Sequence, residues 1–103
     1  MTDELCGDEQ FSGFEWDDDK SERCREQRGF SFRDASRVFD GPYSQQRSGQ
    51  ERAEQRFETV GVVDGLTLFV VWTSRGCNRR IVSARQASRK ERHGYYQANE
   101  RRD

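Results

Sequence analysis

The stretch Phe57-Glu58-Thr59-Val60-Gly61-Val62-Val63-Asp64-Gly65-Leu66-Thr67-Leu68-Phe69-Val70-Val71-Trp72 decides the fold. An Asp-Gly pair between two runs of β-branched and aromatic residues is a strong signal for a two-residue hairpin turn. Such a turn sets the register. Val63 is expected opposite Leu66, Gly61 opposite Leu68, Thr59 opposite Val70 and Phe57 opposite Trp72, all on one sheet face because side chains alternate. The other face then carries Arg56, Glu58, Val60 and Val62 beside Thr67, Phe69, Val71 and Thr73. Leu66 to Trp72 is apolar on both faces, so this strand is expected at the centre of the sheet.

Working outward toward the C-terminus, the loop Ser74 to Asn78 leads into a further strand, Arg79 to Arg85. Setting Arg79 opposite Thr73 puts Val82 and Ala84 on the Phe57/Trp72 face. It puts Arg79, Ile81, Ser83 and Arg85 on the Arg56/Glu58 face. A slip of one residue exchanges the two sets, and a loop of this length permits it. The preferred register gathers Arg56, Glu58, Thr73, Arg79, Ser83 and Arg85 into a phosphate-binding cleft; the competing reading is the ordinary wet face of an antiparallel sheet. Arg80 falls on the core face in this register, so it either reaches out at the strand end or marks the register as wrong. Ser88 to Glu100 reads as a helix. Ser88-Arg89-Lys90-Glu91 fits the S-x-x-E capping box, and Ala87, Glu91 and Tyr95 share a helical face.

Working toward the N-terminus, residues 43–55 are polar and read as a mobile loop. Gly41-Pro42 stops a helix that starts from Ser31 as N-cap, with Asp34 three residues on and an apolar stripe at Phe32, Ala35 and Phe39. Asp17 to Arg28 is a charged helix with an acidic start and Gly29 as its stop. Phe14 to Trp16 suits a short edge strand. Residues 1–13 form an acidic extension, 14–100 one domain and 101–103 a short basic tail. The fold class expected is α+β: a small antiparallel sheet with two helices before it and one after it.

The 103 residues are 31% hydrophobic and 36% charged, enough for one domain with a thin core. The net charge of −1 conceals a gradient. Residues 1–22 hold nine acids and one base, whereas residues 73–103 hold nine bases and three acids. All the bases except Lys20 and Lys90 are arginine. The planar guanidinium fork suits bidentate contact with phosphate, so the second half points to nucleic acid. Cys6, Cys24 and Cys77 show no zinc spacing, so no metal is expected; read as three free thiols, they fit a reducing cytoplasm. The acidic start is unlike a signal peptide, and the longest apolar run is too short to span a membrane. No cofactor motif is present.

Phe14-Glu15-Trp16-Asp17, Lys20, Arg23, Gly29-Phe30-Ser31-Phe32, Ala35, Val38-Phe39-Asp40 and Pro42 occur in the order and spacing of a known family. Gln55-Arg56-Phe57 with Gly61, then Thr73-Ser74-Arg75-Gly76, continue the pattern. Arg80-Ile81-Val82-Ser83-Ala84-Arg85-Gln86-Ala87-Ser88 and Glu91-Arg92 with Tyr95 complete it. Over Phe14 to Tyr96 the chain resembles the BrnT-type toxins. The resemblance implies a RelE-like α+β fold and a ribonuclease toxin of a type II toxin–antitoxin pair. It further implies a BrnA-like ribbon-helix-helix antitoxin as partner, RNA as substrate, and operator DNA reached indirectly through the antitoxin. Where the family usually carries Lys-His-Gly, this chain has Gln27-Arg28-Gly29. An arginine is a poor proton acceptor near neutral pH. The alternative is therefore a catalytically inactive homologue that serves as a binding module in an antitoxin–operator repressor complex.

RNA can be cut without a metal when its 2′-hydroxyl attacks the adjacent phosphodiester. Fixed donors aimed at the developing charge are then often the largest catalytic contribution, and arginines suit that task. The resemblance singles out Arg56, Arg75, Arg80, Arg85, Glu91 and Tyr95 as catalytic candidates. Arg28, Arg79, Ser83, Arg89 and Arg92 are candidates for RNA binding. Glu58 reads as an ion-pair partner on the cleft face. His93 is the only histidine, at a position where the family pattern does not require one. The acidic extension is expected to fold over the basic cleft and lower the activity of the free protein.

Overall fold

A computed structural model describes residues 11–49 and 54–100, and the tail 101–103 and most of the acidic extension lie outside them. Among the described residues, five strands and three α-helices follow one another as β1 (Gly13–Glu15), α1 (Asp18–Arg28), α2 (Phe32–Ala35), a 3-10 turn (Ser36–Asp40), β2 (Tyr43–Arg47), β3 (Arg56–Val63), β4 (Leu66–Arg75), β5 (Asn78–Gln86) and α3 (Arg89–Glu100). The sheet order is β1-β5-β4-β3-β2. Every pair is antiparallel except β1 with β5, which is parallel. The fold is α+β as expected, with β4 at the centre.

The hairpin has the expected register: Val63 pairs with Leu66, Gly61 with Leu68, Thr59 with Val70 and Phe57 with Trp72. Asp64 and Gly65 both take positive φ, 51° and 85°, as the mirror-image turns of tight hairpins demand. Arg37 of the 3-10 turn pairs with both carboxylate oxygens of Asp64, at 3.0 and 3.1 Å, and ties the helical layer to the hairpin tip.

One face of the sheet receives α1, α2 and the 3-10 turn. Phe30, Phe32, Ala35 and Val38 pack there against Val63, Leu68, Val70, Trp72, Ile81 and Ala84. Trp72 is 1% exposed; its indole N–H donates to the Thr59 hydroxyl at 2.9 Å, and Phe57 stacks on its ring. Polar contacts also dock α1. Its two buried side chains are Ser21 and Cys24. The Ser21 hydroxyl accepts from the Phe32 amide at 2.9 Å, and the Cys24 thiol donates to the Ala84 carbonyl at 3.6 Å. The opposite face receives α3, with Tyr95 and Ala87 over Val60 and Phe69. Both expected capping boxes are present: Ser31 with Asp34, and Ser88 with Glu91.

Four expectations need correction. The segment read as a loop contains β2, which pairs along β3 from Tyr43↔Gly61 to Arg47↔Phe57. β2 is a mostly solvent-facing edge strand of Tyr, Ser, Gln and Arg, so it carries no apolar alternation to announce it. The register of β5 is also different. Thr73 pairs with Arg80, Trp72 with Ile81, and Val71 with Ser83, so Val82 is an extra residue in a bulge. Beyond the bulge, Ser83 and Arg85 lie on the α3 face and Ala84 in the core, as expected. Before it the assignment is exchanged: Ile81 and Arg79 take the helical face, and Arg80 takes the other. Arg79 is thus removed from the expected cleft. Its guanidinium lies 4.0 Å from the Phe39 ring centroid, 4.8 Å from that of Phe11 and 5.0 Å from that of Trp72. Phe11, in the stretch read as an extension, packs edge-on against Trp72. Finally, Cys77 is disulfide-bonded while Cys24 is free and buried, so three free thiols are not what the fold contains. Spacing along the chain could not show this, because the fold decides which cysteines meet.

Candidate nucleic-acid interface

The bulge brings Arg80 level with Thr73 and Arg56, in one row across β5, β4 and β3 on the α3 side of the sheet. Arg75 sits one pleat further along β4. These residues, with Lys20 and Asp17 from the start of α1, line a concave site of about 170 Å³. Two of the four cations are positioned by neighbours. The Arg80 guanidinium donates to Glu15 at 3.1 Å, and Asn78 donates to the other Glu15 oxygen at 3.0 Å. Glu15 arrives there because β1 lies parallel to β5 with Glu15 opposite Arg80. Its carboxyl is held below the ordinary range, first by the Asn78 hydrogen bond, against an opposing cost of burial, and further by Arg80 and Arg75. Arg56 pairs with Glu54 at 3.3 Å. Arg75 is exposed, and among the described residues its side chain makes no hydrogen bond or salt bridge. Asp17 is engaged as the cap of α1, accepting from the Lys20 amide at 3.1 Å.

A second groove of about 140 Å³ continues the first, because Lys20 and Val82 line both. It runs between α1 and β5, past Arg23, Gln27 and Arg28, to Ser83 and Ala84. The Arg28 guanidinium reaches the Ala84 carbonyl at 3.4 Å. Burial pushes the Cys24 thiol beneath this groove above its ordinary pKa, which suits a packing role and not a nucleophile. From Arg75 to Arg28 the cations form one continuous strip along the edge of β5. A strip of this kind neutralises successive phosphates of a strand.

Residues 16–91 match the sequence profile of the family described as ribonuclease toxin, BrnT, of type II toxin-antitoxin system. The chain belongs to the BrnT ribonuclease toxin family. Membership in a type II toxin–antitoxin family implies an antitoxin partner. Among solved structures, the chain is similar to the crystal structure of the Brucella abortus ribonuclease toxin, BrnT, at 21% identity over 75% of this chain and 97% of that one, with a TM-score of 0.55. That likeness concerns the fold. No curated protein matches significantly. The departure from the BrnT pattern at Gln27-Arg28 falls in the second groove, beside Ser83, and not among Arg56, Arg75 and Arg80.

The residues singled out from the BrnT resemblance therefore separate into groups. Arg56, Arg75 and Arg80 converge. Arg85, Glu91 and Tyr95 gather further along the same face, around a third cavity beneath α3. Arg85 and Glu91 form a two-pronged ion pair, with both contacts at 2.9 Å. Arg85 holds the Glu91 carboxyl below its ordinary range, and the Ser88 amide assists against an opposing cost of burial. The Tyr95 hydroxyl donates to the Pro42 carbonyl at 3.1 Å, and burial raises its pKa. Arg28 and Ser83 line the second groove. Arg89, Arg92 and His93 are exposed on α3, where Arg92 caps the Ala87 carbonyl at 3.2 Å. Sequence reasoning did not single out Lys20, Glu15 and Asn78 as site residues. Lys20 and Glu15 stand in the matched motif, but their place beside Arg80 depends on a parallel pairing between residues more than sixty positions apart.

Proposed function

We propose that this chain is the endoribonuclease toxin of its pair, cleaving RNA in the cytoplasm without a metal ion and neutralised by a BrnA-like ribbon-helix-helix antitoxin. The toxin then reaches operator DNA only through the antitoxin. The observation that carries this reading is the convergence of Lys20, Arg56, Arg75 and Arg80 on one concave site, with Glu15 and Asn78 fixing Arg80. The 2′-hydroxyl loses its proton as its oxygen bonds to the adjacent phosphorus, the bond to the 5′-oxygen breaks, and the departing 5′-oxygen takes up a proton from water, leaving a 2′,3′-cyclic phosphate and a 5′-hydroxyl. Negative charge grows on the phosphoryl oxygens along this path. Fixed guanidinium groups stabilise it without having to reorganise. Glu15, ionised at neutral pH, orients Arg80, and its two oxygens are engaged by Arg80 and Asn78. It does not line the site, and its lowered pKa makes it a weak base, so the cations carry most of the acceleration. The supporting argument for metal independence is chemical: guanidinium and ammonium groups can stabilise the developing charge directly, with Glu15 and Glu54 offsetting part of the positive charge.

A specific observation favours the second reading, a non-catalytic binding module. Among the described residues the groove contains no histidine, and Gln27-Arg28 stands where the BrnT pattern has Lys-His. Incubating purified RNA with the isolated protein in EDTA, beside an Arg56→Ala/Arg80→Ala double variant, separates the two. Cleavage that survives EDTA and disappears in the variant is expected. Absence of cleavage by folded wild-type protein, with antitoxin and operator binding retained, would establish the binding module instead.

A further inference from the structure

A cavity of about 480 Å³ takes no part in the cleavage step proposed above. It lies on the same face of the sheet as the cationic row. Glu58 in its wall follows Arg56 by two residues on β3, so the two side chains point the same way from Cα atoms about 7 Å apart. Val60 and Phe69 form its floor, α3 covers one side with Tyr95 and Glu91, and the edge strand β2 closes the other with Ser44 and Gln46. Its volume falls within the range of about 300–1,000 Å³ typical of small-molecule sites.

The lining does not suit another phosphate. It presents two carboxylates, Glu58 and Glu91, against one cation, the exposed Lys90 at the start of α3, and Arg85 is already committed: it binds Glu91 through both nitrogens and lies 4.1 Å from the Phe69 ring centroid. The lining instead suits a flat group with apolar faces and hydrogen-bond donors on its edge. Phe69, in the floor, offers an aromatic surface of the kind on which nucleobases stack. Glu58 offers an acceptor oriented by Gln46, whose amide donates to it at 2.8 Å. Guanine, cytosine and adenine each carry an exocyclic amino group that can donate to a carboxylate. Uracil presents carbonyl oxygens on both sides of its single edge N–H, and these would face the lone pairs of Glu58.

We infer that this cavity is the base-recognition subsite for single-stranded RNA: it takes an amino-bearing nucleobase next to the phosphate held by Arg56 and Arg80, and Glu58 determines the preference. The inference deepens the ribonuclease reading and rests on it for the position of the phosphate. The pleat spacing of β3 thus separates the site that holds the backbone from the site that reads the base.

The test uses the full-length protein and 2′-O-methyl oligonucleotides, which cannot be cleaved, each with guanine, cytosine, adenine or uracil at the variable position in an otherwise uniform strand. Affinities are read by fluorescence anisotropy for the wild type, Glu58→Gln and Gln46→Ala, each shown to be folded by circular dichroism. A preference of at least tenfold for amino-bearing bases over uracil is expected, the scale of one good base-edge contact. It should narrow to within about threefold in Glu58→Gln, because an amide can both donate and accept, and weaken in Gln46→Ala. Equal affinities for all four bases in the wild type, or an unchanged preference in folded Glu58→Gln, would overturn the subsite. Matched all-ribose strands test the chemistry separately. Base-selective binding without any cleavage would sink the ribonuclease reading and leave the subsite standing.

Discussion

Glu15 and Arg80 face each other across the parallel pairing of β1 with β5, carboxylate oxygen to guanidinium nitrogen at 3.1 Å. Asn78, two residues before Arg80 and so on the same side of the strand, holds the other carboxylate oxygen at 3.0 Å. The short first strand therefore does more than close a sheet edge, because it fixes the direction in which Arg80 points.

From this arrangement Arg80→Ala is expected to lower the rate of RNA cleavage by about 10²–10³-fold, the usual cost of losing one preorganised donor at developing charge. Glu15→Gln should lower it less, by about tenfold, because the hydrogen bonds persist in weakened form. Both should melt close to the wild type, since a part-exposed ion pair contributes about 0–1 kcal/mol. Single-turnover cleavage of a short RNA checks this. A Glu15→Gln protein as fast as the wild type would show that Arg80 needs no orienting partner.

The groove along β5 makes a different prediction. Replacing Arg23 or Arg28 by Ala should weaken RNA binding by a similar factor for every sequence and flatten the dependence of log affinity on log salt by about one unit of slope. A loss confined to one sequence, or an unchanged slope, would show that these arginines do not touch phosphate.

The Arg85–Glu91 pair sets an acid limb on stability. The Glu91 carboxyl is held below its ordinary range by Arg85, so the unfolded chain binds its proton more readily. Stability from this pair is fully present above the ordinary carboxylate range, about pH 5, and is lost as pH falls through the lowered folded value. Glu91→Gln keeps a side chain that fits the capping box but carries no charge. It should be less stable than the wild type at pH 7 by about 1 kcal/mol or less. The gap should close in acid, as melts at pH 7 and pH 3 would show. A gap that persists at pH 3 would point to packing, not charge.

Close contact governs Gly61. A methyl group there would meet Val38 at 2.9 Å from its Cβ and 3.2 Å from its carbonyl oxygen, which belongs to the 3-10 backbone and yields little. Gly61→Ala should cost about 1–3 kcal/mol in urea unfolding. Val38→Ala keeps the Cβ, the Cα and the carbonyl oxygen that the methyl would meet, so it should not rescue Gly61→Ala.

Much of this could be read directly from sequence, and the exceptions have physical causes. Asp64-Gly65 admits one turn, so all the pairing between β3 and β4 followed from it. Ser31-Asp34 and Ser88-Glu91 announced their helices because capping is local. β2 was invisible because an edge strand of Ser, Gln and Arg is held by its partner's backbone and not by its own side chains. Matched motifs singled out Arg56, Arg75 and Arg80 together with Arg85, Glu91 and Tyr95, but the place of Arg80 was not legible, since nothing local marks Val82 as the extra residue. Glu15 escaped notice because its role depends on a pairing that only the folded sheet creates. Arg79 was misplaced for the same reason as Arg80.

That extra residue gives β5 the character of a reading frame. Arg80 and Arg85 are separated by an odd number of steps, which in an uninterrupted strand would send them to opposite faces. Val82 absorbs the odd step. Deleting it would leave Arg80 and Arg85 four positions apart, so a regular strand would carry both to the α3 side and Ile81 and Ala84 to the core with no bulge. The bulge is thus what lets a strand one residue too long keep both ends in phase. A one-residue gap at Val82 between relatives therefore signals a straightened strand that presents the same surface.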